Sequence, residues 1–116
     1  MTGRAPARIT VGDFRDVIDI YEDKSDDTDE QQSFTGLPYL ADIPALVQHD
    51  GGHEREQTTF TKYLVTFHYV ADITTSMQVS VTQGDFAGKT LNVGEVEPVR
   101  VHGRPRYLRL HCQEMN

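Results

Sequence analysis

The sequence predicts an all-β domain: a small antiparallel β-barrel or sandwich of five to six strands with long projecting loops. Two observations lead to this class. Apolar side chains recur at every second position through much of residues 62–81, the spacing that places alternate side chains on one face of a strand. Shorter alternating runs, separated by polar or glycine-containing turns, lie on both sides of this segment at hairpin spacing. The chain therefore resembles a series of short, paired strands.

Length and composition fit one domain. The 116 residues form a single unit, in which we expect residues 1–12 to be a flexible N-terminal arm and residues 13–114 the barrel core. A formal net charge of −7 argues against a general nucleic-acid binder, because neutralising phosphates requires an excess of Lys and Arg. We find neither a signal peptide nor an apolar run of membrane-spanning length. We therefore expect synthesis in the cytosol and no membrane partner.

The first third of the chain predicts a strand followed by a loop. Residues 14–21 alternate in hydropathy, which indicates a strand. Residues 22–33 are acidic and polar and have no large apolar side chain, so they cannot contribute to a core. This stretch predicts a mobile loop.

The next segment is less regular. Residues 39–48 are apolar but contain Pro44, so they predict an irregular or edge strand, and a short helix over residues 39–46 is the competing interpretation. Residues 48–59 are polar and have no period that persists. A loop of that length is usually functional or disordered, and it could project from a small barrel.

The second half predicts the remaining strands. Residues 62–81 indicate two strands joined by a polar turn into a central hairpin, against which the rest of the chain packs. After a turn at residues 83–85, residues 91–101 predict one strand with a kink near Gly94 or Pro98. Residues 103–105 turn the chain into a final strand over residues 107–112. The predicted core consists of Tyr63, Val65, Phe67, Tyr69, Met77, Val79, Val81, Leu91, Val93, Leu108 and Leu110.

No motif points to catalysis, so we expect a non-enzymatic protein without metal or cofactor. His49 and His53 are four residues apart, but two glycines separate them and no third ligand lies nearby. The run from Gly88 to Thr90 lacks the first glycine of a phosphate-binding loop. Cys112 falls on the inward side of its strand, where a small buried apolar group is more probable than a nucleophile.

Charge is distributed unevenly along the chain. The acidic residues Asp26, Asp27, Asp29 and Glu30 fall in the predicted 22–33 loop, whereas Arg100, Arg104, Arg106 and Arg109 cluster near the C-terminus. Such asymmetry is typical of complementary faces that meet between copies of a protein. The alternative is an acidic loop and a basic hairpin that are both simply solvated.

Taken together, several degenerate motifs resemble the phage head–tail joining family, the head-closure or stopper proteins of tailed-phage necks. In chain order the motifs are residues 14–21, 39–47, 52–54, 63–69, 72–73, 77–79 and 106–114. Their order and spacing carry the resemblance, which covers residues 14–114. The chain departs from the family where His68 replaces an Arg, where Ile43 replaces an aromatic side chain, and where Pro44 interrupts a strand.

The resemblance implies a structural virion protein at the head–tail interface, made in the host cytoplasm before assembly. It implies a ring of roughly a dozen copies between the portal-side adaptor and the tail, with double-stranded DNA passing through without specific binding. The loop that helps to gate this channel in related proteins corresponds to Gln48, His49, Asp50, Gly51, Gly52, His53, Glu54, Arg55 and Glu56. The candidate inter-subunit charges are Asp26, Asp27, Asp29, Glu30, Arg104 and Arg106.

Two other functions remain open at this point. A tail-completion or tail-terminator protein would share the small β architecture. An oligonucleotide-binding barrel would need a basic aromatic platform, for which the candidates are Tyr63, Phe67 and Tyr69 with Lys62 beside them.

Overall fold

A computed structural model describes residues 11–22, 37–50 and 60–115. A short 3₁₀ helix, Val11–Asp13, precedes six strands: β1 (Asp16–Tyr21), β2 (Leu40–His49), β3 (Phe60–His68), β4 (Gln78–Gln83), β5 (Thr90–Val101) and β6 (Arg104–Met115). The predicted flexible N-terminal segment, residues 1–12, therefore overlaps the first two residues of this helix. No helix among these residues is long and apolar enough to cross a membrane.

The strands form a closed antiparallel barrel in the order β1-β2-β3-β6-β5-β4. The predicted class, a small all-β barrel, is confirmed. In a closed ring of six, each strand faces the strand three places away, so β1 lies opposite β6, β2 opposite β5, and β3 opposite β4. Both neighbours of every strand are antiparallel, which leaves no parallel crossover to be covered by a helix.

The predicted central hairpin is wrong. β3 pairs with β6 over nine positions, from Phe60↔Met115 to His68↔Tyr107, and β4 pairs with β1 and β5. The connection between β3 and β4 therefore joins opposite walls of the barrel across one end. Alternation fixes which face of a strand is buried but carries no information about which strand lies beside it.

Two seams of the barrel are short. β2 pairs with β3 only over residues 46–49, and β4 pairs with β5 only over three positions. Among the described residues, the β3-facing edge of β2 over residues 40–45 and the β4-facing edge of β5 over residues 94–101 have no strand partner. Each of these open edges contains one proline, Pro44 or Pro98, which has no N–H to offer to an added strand.

The prediction of an irregular strand at residues 39–48 is confirmed, and the helical alternative is wrong. β2 shifts register against β1 between the pairs Ile18↔Ile43 and Ile20↔Leu40, which accommodates one extra residue in β2. Asp42 takes a positive φ of 55° in this bulge, and its N–H donates to Oδ1 of Asp19 at 2.9 Å. A short polar side chain tolerates this left-handed conformation better than a branched one.

The barrel is filled by inward side chains from all six strands. Ten of the eleven predicted core residues are buried, and the central cluster is completed by Ile18, Ile20, Ala45, Val47, Ile73 and Cys112. The prediction fails at Tyr69, which is 41% exposed. Tyr69 follows the last residue of β3, so its ring lies beyond the end of the strand and outside the barrel core.

The two strands of the C-terminal hairpin are 12 residues each. The kink predicted near Gly94 or Pro98 is present at Gly94, where the register shifts between Val93 and Glu95. The turn lies one residue earlier than predicted: His102 and Gly103 both have positive φ, and Arg104 already pairs with Val101. Two consecutive residues with positive φ are typical of a type I′ hairpin turn.

Cys112 is buried, as predicted, and burial raises the pKa of its thiol to about 12. The unfolded thiol ionises near its ordinary pKa of 9.0 while the folded thiol stays protonated. The free energy of unfolding is therefore expected to fall above about pH 9, by about 1.4 kcal/mol per pH unit from this group alone. Urea titrations between pH 8 and 10.5 measure the slope. Cys112→Ala has no thiol to ionise at this position, so its free energy of unfolding should fall less steeply with pH. Equal slopes in both proteins would contradict the assignment.

Candidate assembly surfaces

The two ends of the barrel carry different connections. At the first, which we call the arm end, β1, β3 and β5 finish, so it carries the β1–β2 connection, the β3–β4 connection and the β5–β6 hairpin. At the second, the turn end, β2, β4 and β6 finish, and it carries the β2–β3 connection and the turn between Gln83 and Thr90. The described part of the predicted channel loop, Gln48, His49 and Asp50, therefore lies at the turn end, and the candidate inter-subunit arginines Arg104 and Arg106 lie at the arm end.

The β5–β6 hairpin extends beyond its neighbours at the arm end. β5 makes its last strand pair with β4 at Asn92, so residues 94–101, about 26 Å of strand, continue with β6 as their only partner. On the other side, β6 pairs with β3 up to Tyr107, and the N–H of Tyr69 donates to the carbonyl of Arg106 at 2.9 Å. We call residues 97–107 the arm.

The four arginines that cluster in the sequence separate into two kinds. Arg109 lies 3.9 Å from Oε1 of Glu97, and the same oxygen is 2.8 Å from Nε2 of His111, so this charge is balanced within the sheet. Arg100 donates to the carbonyl of Gly103 at 3.2 Å. Arg104 and Arg106 are exposed, and within the part of the chain that the structure describes their side chains have no hydrogen bond or ion pair. The candidate inter-subunit arginines are thus free to bind a partner.

Large apolar side chains are exposed at four described positions, all of them at the arm end. Tyr69 is 41% and Val101 37% exposed, beside the two free arginines. Leu37 is 86% and Tyr39 40% exposed, immediately before β2. We call Tyr69, Val101, Arg104 and Arg106 the arm patch, and Leu37 with Tyr39 the loop patch. The two arginines were predicted from the sequence, whereas the exposure of the four apolar side chains was not.

The loop patch adjoins the acidic stretch in the sequence. The N–H of Tyr39 donates to the carbonyl of Ile20 at 2.7 Å, so the connection between β1 and β2 returns to the point where it left the barrel. Asp26, Asp27, Asp29 and Glu30 lie outside the described residues. The exposed Asp42, three residues beyond Tyr39, adds one described carboxylate to this side of the molecule.

The predicted channel loop begins later than its sequence suggests. Gln48 and His49 are the last residues of β2, and the N–H of Asp50 donates to the carbonyl of Lys62 at 2.8 Å. These three residues are therefore an exposed continuation of the sheet and not a loop. The remaining members, Gly51, Gly52, His53, Glu54, Arg55 and Glu56, lie outside the described residues.

An aromatic cluster supports the base of that loop. The His49 ring lies 5.1 Å from the ring of Tyr63 and 6.4 Å from that of Phe86, and the latter two rings are 5.3 Å apart. The Tyr63 hydroxyl donates to Oε1 of Glu114 at 3.5 Å, and Nζ of Lys89 lies 3.3 Å from the same oxygen. Burial raises the pKa of the Tyr63 phenol, Lys89 lowers it, and Glu114 raises it. The β4–β5 turn and the end of β6 are therefore joined to the loop base.

A second aromatic cluster holds the N-terminal segment. The Phe14 ring packs edge-on against His68 at 5.3 Å and Tyr107 at 5.8 Å, and His68 stacks on Tyr107 at 5.6 Å. His68 and Tyr107 are an opposed pair on the outer face of the β3–β6 sheet. The segment that precedes β1 therefore packs against Tyr107, the last residue of the arm.

The described residues do not form the platform that an oligonucleotide-binding barrel would need. Tyr63 and Phe67 are buried in the barrel, which leaves only Tyr69 of the three candidate rings exposed. Within the described ranges, no group of three or more His, Cys, Asp or Glu side chains is placed to hold a metal ion, and His53 lies outside these ranges.

Comparison with known proteins shows the fold. No family model matches the chain, and no curated protein matches it significantly. The solution structure of protein SF1141 from Shigella flexneri 2a is similar over 91% of this chain and 96% of that chain, with a TM-score of 0.59 and 21% sequence identity. At that identity the similarity extends to the barrel and its strand arrangement.

Proposed function

We propose that this protein is a structural component of the tailed-phage neck, a head-closure subunit that assembles into a ring between the portal-side adaptor and the tail. The ring closes the filled head, provides the attachment site for the tail, and leaves a central passage for double-stranded DNA. The subunit acts by binding neighbours and not by catalysis, and it requires no cofactor. Its final location is the virion.

The observation that carries the proposal is the arm. A barrel that functions alone has no need for a hairpin whose tip extends past both neighbouring strands and presents uncovered apolar side chains beside two unpaired arginines. Exposed apolar surface next to charge is typical of a protein–protein contact. The arm thus supports a subunit whose partner is another protein.

The sequence resemblance and the strand pairing support the same proposal. Two motifs of the resemblance, residues 63–69 and 106–114, contribute to β3 and β6, the neighbouring strands with nine consecutive pairs. The motifs are therefore adjacent in the fold although about 40 residues apart in the chain, as parts of one architectural unit would be. Net negative charge suits a channel wall, because a wall that binds phosphate tightly would retain the DNA.

The proposal is tested in a phage that encodes this protein by placing an early stop codon in its gene and examining the particles by negative-stain electron microscopy. We expect filled or leaking heads without tails, and recovery of tailed particles when the protein is supplied from a plasmid. Heads with attached tails of abnormal length would favour a tail-terminator function instead. Normal, infectious, tailed particles would refute a neck function.

A further inference from the structure

We propose that the partner of the arm patch is the loop patch of a second copy of this chain, so that copies associate head to tail. This inference rests on the proposed function, since it specifies which surfaces would form the subunit contact of the ring. It follows from three properties of the two patches: their apolar content, their charge and their positions on the barrel.

The apolar content of the patches is matched. All four exposed large apolar side chains that the structure describes belong to one patch or the other, two to each. Leu37, at 86% exposure, is the most exposed of them and has no role in the barrel. A contact that covers Leu37 and Tyr39 with Tyr69 and Val101 would remove these apolar surfaces from water together.

The charges of the patches are opposite. Arg104 and Arg106 give the arm patch two cations without a partner among the described residues. On the loop-patch side, the described carboxylate is that of Asp42, which is exposed three residues beyond Tyr39; Asp26, Asp27, Asp29 and Glu30 precede the patch in the sequence and lie outside the described residues. Opposite charge favours encounter between the two patches and opposes contact of either patch with its own copy.

The positions of the patches favour a head-to-tail arrangement. The loop patch belongs to the β1–β2 side of the barrel, and the arm is formed by β5 and β6, which lie opposite β2 and β1. Both patches lie at the arm end, so two upright barrels standing side by side bring the arm of one to the loop patch of the other. A single neighbour cannot cover both walls, so each copy needs two neighbours. Such a heterologous contact generates a ring when the rotation closes.

Cross-linking between two single-site variants tests the contact directly. Leu37→Cys and Val101→Cys proteins are mixed at high concentration with a short bismaleimide, and the products are analysed by mass spectrometry. Cys112 does not interfere, because burial raises its pKa to about 12 and suppresses the reactive thiolate. We expect cross-linked dimers that join position 37 to position 101. Asp85→Cys, exposed at the turn end, replaces Leu37→Cys in the control mixture and gives none.

The double variant Leu37→Cys/Val101→Cys separates contact between copies from contact within one copy. Contact between copies yields a ladder of cross-linked oligomers, whereas contact within one copy yields only an internally linked monomer. The second result would overturn the proposal, as would products that join 37 only to 37 or 101 only to 101, or no cross-linked product.

The electrostatic part is tested by charge reversal. Arg104→Glu/Arg106→Glu in the Val101→Cys protein is expected to lower the yield of 37–101 product about tenfold at low salt and much less at high salt. Arg15→Glu, an exposed arginine next to β1, is the matched control and should leave the yield unchanged. An unchanged yield from the reversed arm would remove the arginines from the contact.

The outcomes distinguish this inference from the proposed function. If the purified variants form 37–101 dimers but phage that lacks the protein still makes normal tailed particles, the contact between copies is retained and the neck function is refuted. Tailless particles together with no 37–101 product would retain the neck function and refute this contact.

Discussion

Replacing Phe67 with Ala is expected to lower the free energy of unfolding by about 3–5 kcal/mol. Phe67 is fully buried near the arm end of the β3–β6 pairing, opposite Leu108, and it is the largest of the completely buried side chains among the described residues. Its removal leaves a cavity that the barrel cannot easily collapse, because β3 is held at this position by β6 and, up to the preceding residue Thr66, by β2. For a domain of this size, the loss is a large share of the total stability.

Urea unfolding followed by circular dichroism measures this loss, with an unchanged m-value as the sign that only stability has altered. Tyr69→Ala is the matched control: it removes an aromatic ring two residues away that is 41% exposed, so we expect a loss of less than about 1 kcal/mol. A smaller effect at position 67 than at position 69 would mean that the inward face of β3 has been assigned to the wrong residues.

Replacing Gly84 with Ala is expected to have the second largest effect, because a Cβ at this position would overlap the carboxylate of Asp16. Gly84 has a φ of +112°, and the added atom would lie 2.8 Å from Cγ of Asp16 and closer still to its Oδ1. Asp16 cannot easily move aside, because it is buried and its Oδ2 accepts a hydrogen bond from the N–H of Val47 at 2.8 Å. The β4–β5 turn, β1 and β2 are therefore coupled at one point.

Gly88→Ala provides the control for this prediction. Gly88 lies in the same turn with a φ of +95°, but a Cβ there meets nothing within 4 Å, so only backbone strain is added. We expect Gly84→Ala to cost about 2 kcal/mol more than Gly88→Ala, the usual value of a buried hydrogen bond to a carboxylate. Thermal and urea unfolding of both variants measure the difference. Equal losses would show that Asp16 moves without losing its bond to Val47.

The sequence was sufficient to predict the inward face of β3, β4, β6 and the first part of β5, but not that of β1 or β2. In β6, Leu108, Leu110 and Cys112 are buried while the residues between them are partly exposed, as the alternation indicates. Period-2 alternation is a local property, since each side chain responds to the single core beneath its own strand. The irregular β2 and the kink at Gly94 were also predictable, because proline and glycine act on their own positions.

Strand partners could not be predicted in the same way. β3 and β4 are neighbours in sequence and have compatible alternation, yet they are on opposite walls because β6 provides a longer partner for β3. Which strand pairs with β3 depends on the total pairing along whole strands, and a short stretch of sequence does not contain that information. The error at Tyr69 has the same origin: its alternation continues, but the opposite wall of the barrel does not extend that far.

The candidate site was predicted in part. The charge asymmetry identified Arg104 and Arg106, and the structure shows that these two, unlike Arg109, lack a partner among the described residues. The apolar members of the patches were missed, because exposure of Leu37 or Val101 depends on where neighbouring strands stop. Gln48 and His49 were assigned to a loop because their polarity hid the fact that β2 continues through them.

The prolines on the two open strand edges have a consequence for the proposed ring, in which many copies of the chain would meet. Backbone hydrogen bonding between edges is indiscriminate: it would join any copy to any other, without a fixed angle and without an end, and could grow into fibrils. Pro44 and Pro98 interrupt that route at both openings of the barrel. In the proposed ring, copies would then recognise one another by side chains, whose shape and charge define a single angle, so that growth could return to its starting point and stop.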